Sequence, residues 1–214
     1  MQWRFWLKVL GVSGFMWLFF LGYFHTLRHP VRPVFEMPLT ALDHAISAQP
    51  AMLAAYVSLW VYVGIPTGLL LSLREMIIHG LWAAAMCAVG LLCFYLVPTA
   101  VPRPDALADL AQHAGFALLQ GVDAAGNACP SMHVASALFS AVWIDRMLRD
   151  MGRALRPLRL LNVTWLLLIV YSTVAIKQHV AYDVLGGAVL GLVFAVLSLR
   201  WFPRSATWPA GGGR

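Results

Sequence analysis

The chain alternates between six long hydrophobic stretches and short segments that hold most of its charged residues. The stretches are residues 5–24, 51–73, 76–97, 132–148, 160–176 and 182–202. Their lengths lie near the roughly 20 residues that an α-helix needs to cross a bilayer. None alternates with a period of two, and a segment in lipid must hydrogen-bond its own backbone, which favours helices over a β-barrel. The pattern predicts an all-α protein with six transmembrane helices.

Composition supports this class and excludes others. Apolar residues make up 61% and charged residues 11% of the 214 residues, against about 45–50% and about 25% in soluble domains. Three cysteines are an odd and small number for a secreted disulfide scaffold. Six spans leave no room for a separate soluble domain, so we expect one membrane-embedded domain over residues 1–214, with a disordered tail at 203–214.

The distribution of Lys and Arg predicts the orientation. Six helices place both termini on one side, and this side, with the even-numbered loops, carries 11 of the 15 Lys and Arg residues. Because cytoplasmic loops carry the excess of positive charge, we expect a cytoplasmic-membrane protein with both termini in the cytoplasm. The first, third and fifth loops then lie outside. The net charge of +6 reflects this topology and does not indicate a nucleic-acid partner, which would need a solvated basic face.

The first stretch could alternatively be a signal peptide, because Arg4 and Lys8 lie at its start. Its apolar run is longer than a typical signal-peptide core, and Phe24-His25-Thr26 offers no small-x-small cleavage site. We therefore interpret residues 5–24 as a retained membrane anchor.

Ionisable residues at the outer helix ends are candidates for function, because such groups are costly to bury in a membrane. His179 and Asp183 are four residues apart, so they share one face of a helix. A carboxylate that accepts one imidazole N–H leaves the other ring nitrogen free as a nucleophile or base. Pairs with this spacing also occur for purely structural reasons. Whether this pair is catalytic therefore has to be judged from the residues around it.

A second candidate group begins the fourth helix on the same membrane face. Pro130 and Ser131 form a typical helix start with Ser131 as the N-cap. The free backbone N–H groups behind such a cap make an anion site. His133 in this first turn is either catalytic or an interfacial residue at the end of the bundle.

Arg103 and Lys177 lie on this face as well. Each alone is explained as an interfacial cation that extends toward water. Together, two cations, two histidines, a carboxylate and a helix N-terminus suit a tetrahedral phosphate, whose oxygens the cations neutralise. A zinc site formed by His133, His179 and Asp183 is the alternative.

These residues resemble the type 2 phosphatidic acid phosphatase (PAP2) superfamily. That family is marked by Lys-x6-Arg-Pro, Pro-Ser-Gly-His and Ser-Arg-x5-His-x3-Asp, and it usually has a six-helix core. The resemblance covers about residues 50–202 and agrees in order, spacing and membrane side. In this chain the three stretches are Leu96-x6-Arg103-Pro104, Pro130-Ser131-Met132-His133 and Ser172-Thr173-x5-His179-x3-Asp183.

The chain departs from the family pattern at three positions. Leu96 replaces the family Lys and Thr173 the family Arg, so two expected phosphate-binding cations are absent, and Lys177 is a candidate substitute for one of them. Met132 replaces Gly but keeps its backbone N–H. The pattern is similar to the branch that contains inositol phosphorylceramide synthases, in which phosphotransfer to an alcohol replaces hydrolysis.

The resemblance implies a mechanism. His179 attacks phosphorus to form a phosphohistidine, Asp183 orients it, and His133 protonates the departing lipid oxygen before it activates water or an acceptor hydroxyl. No cofactor or metal is implied, because the cations supply the charge that a metal would otherwise provide. The implied phosphate ligands are Arg103, Lys177, Ser131 and Met132.

Two further segments fit this scheme. Residues 105–120 of the third loop mix apolar and polar positions at helical spacing and predict a short interfacial helix over the site. Such a cover suits a lipid phosphate that enters from the bilayer. Gly186, Gly187 and Gly191 predict close packing of the sixth helix against its neighbours.

Three functions stay open at this point. The first is a phosphatase that hydrolyses a lipid phosphate or diphosphate monoester on the extracytoplasmic face. The second is a transferase that passes the phosphoryl group or phospho-headgroup to an alcohol, and the third is a non-catalytic membrane binding or transport protein. The presence of His133, His179 and Asp183 together favours the first two.

Overall fold

A computed structural model describes residues 2–70, 72–102, 126–152 and 155–201. Nine α-helices and two short strands lie in these ranges. The helices are α1 (Gln2–Arg28), α2 (Ala41–Ala45), α3 (Leu53–Val57), α4 (Leu59–Tyr62), α5 (Gly64–Leu69), α6 (Leu73–Leu96), α7 (Met132–Met151), α8 (Arg156–Ala175) and α9 (Ala181–Trp201). The strands are β1 (Phe35–Glu36) and β2 (Thr99–Ala100).

Five segments of the described chain are long and apolar enough to cross a membrane. They correspond to the first, second, third, fifth and sixth predicted spans. The predicted tail at 203–214, the predicted interfacial helix at 105–120 and Arg103 lie outside the described residues. The five segments are Trp6–Arg28, Pro50–Leu69, Leu73–Leu96, Arg156–Ala175 and Ala181–Trp201.

The fourth predicted span is a helix, α7, but its composition does not qualify it as a membrane span. Its last turns carry Asp145, Arg146, Arg149 and Asp150. Of its 20 residues 12 are buried, because α7 packs against α5, α6, α8 and α9 in the centre of the bundle. A helix surrounded by protein does not need the all-round apolar surface that lipid requires.

The boundary between the second and third spans differs from the predicted one. The sequence pattern ends the second span at residue 73 and begins the third at 76, because Arg74 and Glu75 interrupt the apolar run. In the structure α5 ends at Leu69, and Ser72 is the N-cap of α6. Arg74 and Glu75 therefore belong to the first turn of α6, where the Glu75 side chain is buried.

The predicted glycine packing is present between α9 and α7. A Cβ atom at Gly191 would lie 2.5 Å from the carbonyl oxygen of Ala135, and one at Gly187 would collide with the carbonyl oxygen of Ser131. Both obstacles are backbone atoms, which cannot rotate away. The absence of side chains at these glycines thus lets α9 lie directly against the start of α7.

A small parallel sheet joins the first and third loops between the predicted spans. Phe35 of β1 pairs with Thr99 of β2, and Thr99 also bridges to Asn127. The Thr99 hydroxyl accepts a hydrogen bond from the backbone N–H of Cys129 at 2.8 Å. The hydrophobic pattern did not predict these strands, which are only two residues long. They connect the first and third loops to the residues that precede α7.

Candidate active site

His179 and Asp183 lie side by side at the turn between α8 and α9. The Nδ1 atom of His179 is 3.5 Å from Oδ2 of Asp183, which is ion-pair distance but longer than a hydrogen bond. The sequence analysis placed both residues on one helix. In the structure α9 begins at Ala181, so His179 precedes it, and its backbone N–H donates to the carbonyl oxygen of Thr173 at 3.1 Å. The turn still brings the imidazole to the carboxylate.

Asp183 is fully buried and held by backbone hydrogen bonds. Its Oδ2 atom accepts from the N–H of Val180 at 3.0 Å. Its carbonyl oxygen accepts from the N–H of Ser131 at 3.0 Å. Because these bonds immobilise Asp183, they fix the position of its carboxylate beside the imidazole of His179.

Ser131 forms the predicted N-cap of α7. Its side chain accepts a hydrogen bond from the N–H of Val134 at 3.2 Å, and the residue is completely buried. The Met132 side chain turns into the core, where a Cβ atom at Gly90 would collide with its sulfur. Gly90 therefore provides the space for the methionine side chain at this position. Met132 also lines the cavity described below, and its backbone N–H lies in the first turn of α7.

His133 is held by a residue that the sequence analysis did not single out. Its ring stacks on that of Tyr56, with centroids 3.8 Å apart and planes 10° apart. Its Nε2 atom lies 2.9 Å from the carbonyl oxygen of Tyr56. A carbonyl only accepts hydrogen bonds, so Nε2 carries the hydrogen and Nδ1 remains for proton exchange. A backbone carbonyl and a ring face have no sequence signature, which explains why Tyr56 was missed.

His133 and His179 line one large cavity of about 540 Å³. Most of its other lining residues are apolar. They come mainly from α1, α3, α4, α6 and α7. On α1 the lining extends from Leu7 to Phe24, about 25 Å along the helix axis at 1.5 Å per residue. Gln178, next to His179, also lines the cavity and was not predicted as a site residue.

Lys177 does not line this cavity, and its side chain is hydrogen-bonded to another segment. Its ammonium donates a hydrogen bond to the carbonyl oxygen of Asp43 at 2.8 Å and another to that of Ile46. Burial lowers the pKa of Lys177, and the negative charge of Asp43 partly opposes that shift. The backbone of Lys177 is left-handed, with φ at 60°, which is uncommon for a residue other than glycine. The predicted phosphate ligand thus occupies a structural position in this conformation.

The described residues bring together His133, His179 and Asp183, with Ser131 and Met132 at the adjoining helix start. Among those same residues, no group of three or more His, Cys, Asp or Glu side chains is arranged to hold a metal ion. The three residues considered for zinc therefore do not form such a group.

Comparison with known proteins identifies a family. Residues 74–206 match the family model described as the PAP2 superfamily, which is more than half of the chain. No curated protein and no solved structure matches the chain significantly.

Proposed function

Because this chain belongs to the PAP2 superfamily, we propose that it is a membrane phosphatase that hydrolyses a lipid phosphate or diphosphate monoester. The observation that carries the proposal is the position of His133 and the His179–Asp183 pair at an apolar cavity of about 540 Å³. A cavity of this size with few polar groups suits a hydrocarbon chain. The substrate is accordingly a lipid and not a soluble sugar phosphate.

The reaction proceeds in two steps. Nε2 of His179 attacks phosphorus while Nδ1 faces the carboxylate of Asp183, so the positive charge that develops on the ring is stabilised. The bond between phosphorus and the lipid oxygen breaks, and His133, which enters this step with both ring nitrogens protonated, gives its Nδ1 proton to that oxygen. Water then attacks the phosphohistidine, His133 takes a proton from the water, and inorganic phosphate leaves.

Backbone groups and a cation stabilise the transferring phosphate. The first-turn N–H groups of α7, beginning at Met132, provide hydrogen bonds and the positive end of a helix dipole. Arg103 is the proposed cation from the third loop. Transition-state stabilisation by fixed donors of this kind is usually the largest contribution to phosphoryl transfer.

We further propose that the site faces the extracytoplasmic side of the cytoplasmic membrane. The start of α7 and the turn before α9 lie on the side opposite both termini in the predicted topology. The Lys and Arg distribution of 11 against 4 supports that orientation. Fusing a reporter that is active only outside the cytoplasm to either terminus checks it, and strong signal from both fusions would invert the orientation.

The experiment that tests the proposal measures release of inorganic phosphate from lipid mono- and diphosphates by detergent-purified protein in EDTA. The test variant is His179→Ala. A matched control is His29→Ala, since His29 is exposed and does not line the cavity. Release that persists in EDTA and is lost only in His179→Ala supports the phosphatase.

Two other results would contradict it. A new lipid that forms only when an alcohol acceptor is added, without free phosphate, would show a transferase with the same covalent intermediate. No reaction under either condition would favour a non-catalytic membrane protein.

A further inference from the structure

The turn that carries His179 is held from the first outer loop, by a segment that no family motif covers. This segment, residues 40–49, contacts the turn on both sides of His179. On the side before it, the N–H of Gln49 donates to the carbonyl oxygen of Ala175 at 2.8 Å. On the side after it, the carboxylate of Asp43 binds the N–H of Ala181, the first residue of α9.

Asp43 is the central residue of this contact. It is only 5% exposed, and both of its carboxylate oxygens accept hydrogen bonds. Oδ1 accepts from Ala181 N–H at 2.9 Å, and Oδ2 accepts from the N–H and hydroxyl of Thr40 at 2.8 and 2.7 Å. Hydrogen bonds to an ionised acceptor are about twice as strong as neutral ones. Asp43 therefore joins two segments that are 138 residues apart in the sequence.

Lys177 provides a further connection between the turn and residues 40–49. Its ammonium binds the carbonyl oxygens of Asp43 and Ile46. Its left-handed backbone, with φ at 60°, turns the chain so that the neighbouring Gln178 and His179 line the cavity. These three consecutive residues thus include one whose side chain binds the first outer loop and two that line the cavity.

We infer that Asp43 and Lys177 are positioning residues that hold His179 against Asp183. This inference rests on the proposed function for its kinetic consequence only. Neither residue lines the cavity, so neither acts by touching the substrate. Displacing a reacting group by about 1 Å costs on the order of 100-fold in rate, and His179 lies in a turn whose flanks these two residues fix.

The test compares Asp43→Ala and Lys177→Met with a control variant. The control breaks a similar contact at the other end of α8. Asp145 of α7 accepts from Nε of Arg159 at the start of α8 at 2.6 Å, far from His179 in the fold. Asp145→Asn therefore removes a charged contact between two segments without reaching the site. For each protein, kcat, KM and inhibition by inorganic phosphate are measured, together with amide hydrogen exchange of residues 177–183.

The expected result has three parts. Asp43→Ala and Lys177→Met lower kcat about 10- to 100-fold, whereas KM and the inhibition constant for inorganic phosphate change less than about 2-fold. Exchange of residues 177–183 becomes at least about tenfold faster in both variants. Asp145→Asn changes neither kcat nor that exchange.

Two results would overturn the inference. The first is unchanged kcat or unchanged exchange in Asp43→Ala. The second is a Lys177→Met variant that weakens inhibition by inorganic phosphate and raises KM while exchange stays normal, which would make Lys177 a phosphate ligand.

If Asp43→Ala does not fold, Thr40→Val removes one hydroxyl donor from the same carboxylate and is measured in its place. If the wild type releases no phosphate, the proposed function fails, while the exchange measurement still decides whether the contact orders the turn.

Discussion

The backbone N–H of Ser131 donates a 3.0 Å hydrogen bond to the carbonyl oxygen of Asp183. This bond joins the start of α7, where His133 lies, to the first turn of α9, which carries the carboxylate beside His179. Gly187, one turn further along α9, lets the two backbones approach this closely, because a Cβ atom there would collide with Ser131. The proposed acid–base residue and the proposed nucleophile are thus fixed relative to each other through backbone contacts.

The first prediction concerns the charge of Asp183. Asp183→Asn keeps the size of the side chain and an oxygen that can accept from Val180, but it removes the negative charge beside His179. We expect phosphate release to fall about 10²- to 10⁴-fold, by analogy with the carboxylate of other His-containing catalytic groups. The measurement is kcat with a lipid phosphate, and Asp150→Asn in the partly exposed pair with Arg146 serves as the control. Wild-type kcat in Asp183→Asn would show that the carboxylate has no part in the reaction.

The second prediction concerns helix packing. In Gly191→Ala the new Cβ atom would lie 2.5 Å from the carbonyl oxygen of Ala135, so α9 has to move away from α7. Overpacking of this kind costs about 1–3 kcal/mol, and we expect a lower melting temperature in detergent. Gly14→Ala is the matched control, since nothing lies within 4 Å of that position. An equal change in both variants would show that close packing of α9 on α7 is not what Gly191 provides.

The third prediction concerns the lipid chain. Gly80 and Gly11 line the cavity and have open space in front of them. Phenylalanine at either position would fill part of the cavity, so long hydrocarbon chains would lose buried contacts worth about 0.8 kcal/mol per methylene. We expect KM for long-chain substrates to rise about tenfold in Gly80→Phe or Gly11→Phe, with KM for short-chain substrates unchanged.

Gly14→Phe is the control for this third prediction. Gly14 lies on the same helix as Gly11 and also has open space, but it does not line the cavity. Equal effects of Gly14→Phe and Gly11→Phe, or a loss that does not depend on chain length, would place the lipid chain outside this cavity.

The fourth prediction concerns Cys129, which precedes α7 near Gly186. Burial, the negative charge of Asp183 and the nearby Cys93 raise the pKa of the Cys129 thiol to about 11. Because the thiolate is the reactive form, alkylation at pH 8 is slow and its rate rises about tenfold per pH unit until the pKa is approached. Asp183→Asn removes one cause of the shift and is expected to speed alkylation at pH 9.

The measurement uses mass spectrometry of the Cys129 peptide after treatment with a small maleimide across the pH range. The maleimide is kept in excess over the three free cysteines, so that Cys87 and Cys93 do not deplete the reagent. A rate that Asp183→Asn leaves unchanged would mean that Asp183 does not contribute to the raised pKa of the Cys129 thiol.

Several features were determined by the sequence alone. Long apolar stretches predict spanning helices because lipid leaves a backbone no other partner than itself, and five of the six stretches are confirmed as helices of that kind. Membership of the PAP2 superfamily, read from three short stretches, is confirmed as well. The N-cap at Ser131 and the packing role of Gly187 and Gly191 followed from local chemistry. In each case the signal lies within one continuous stretch of sequence or in short motifs.

Other features were decided only by the tertiary structure. The sequence could not show that α7 is the buried centre of the bundle, that Tyr56 holds His133, or that Lys177 binds Asp43 and Ile46 instead of lining the cavity. The contacts of Tyr56 and Lys177 are made with backbone carbonyls, between residues that are 77 and 134 positions apart. A carbonyl is present at every residue, so nothing in the sequence marks which one a side chain will meet. Only the packing of the helices brings such pairs together.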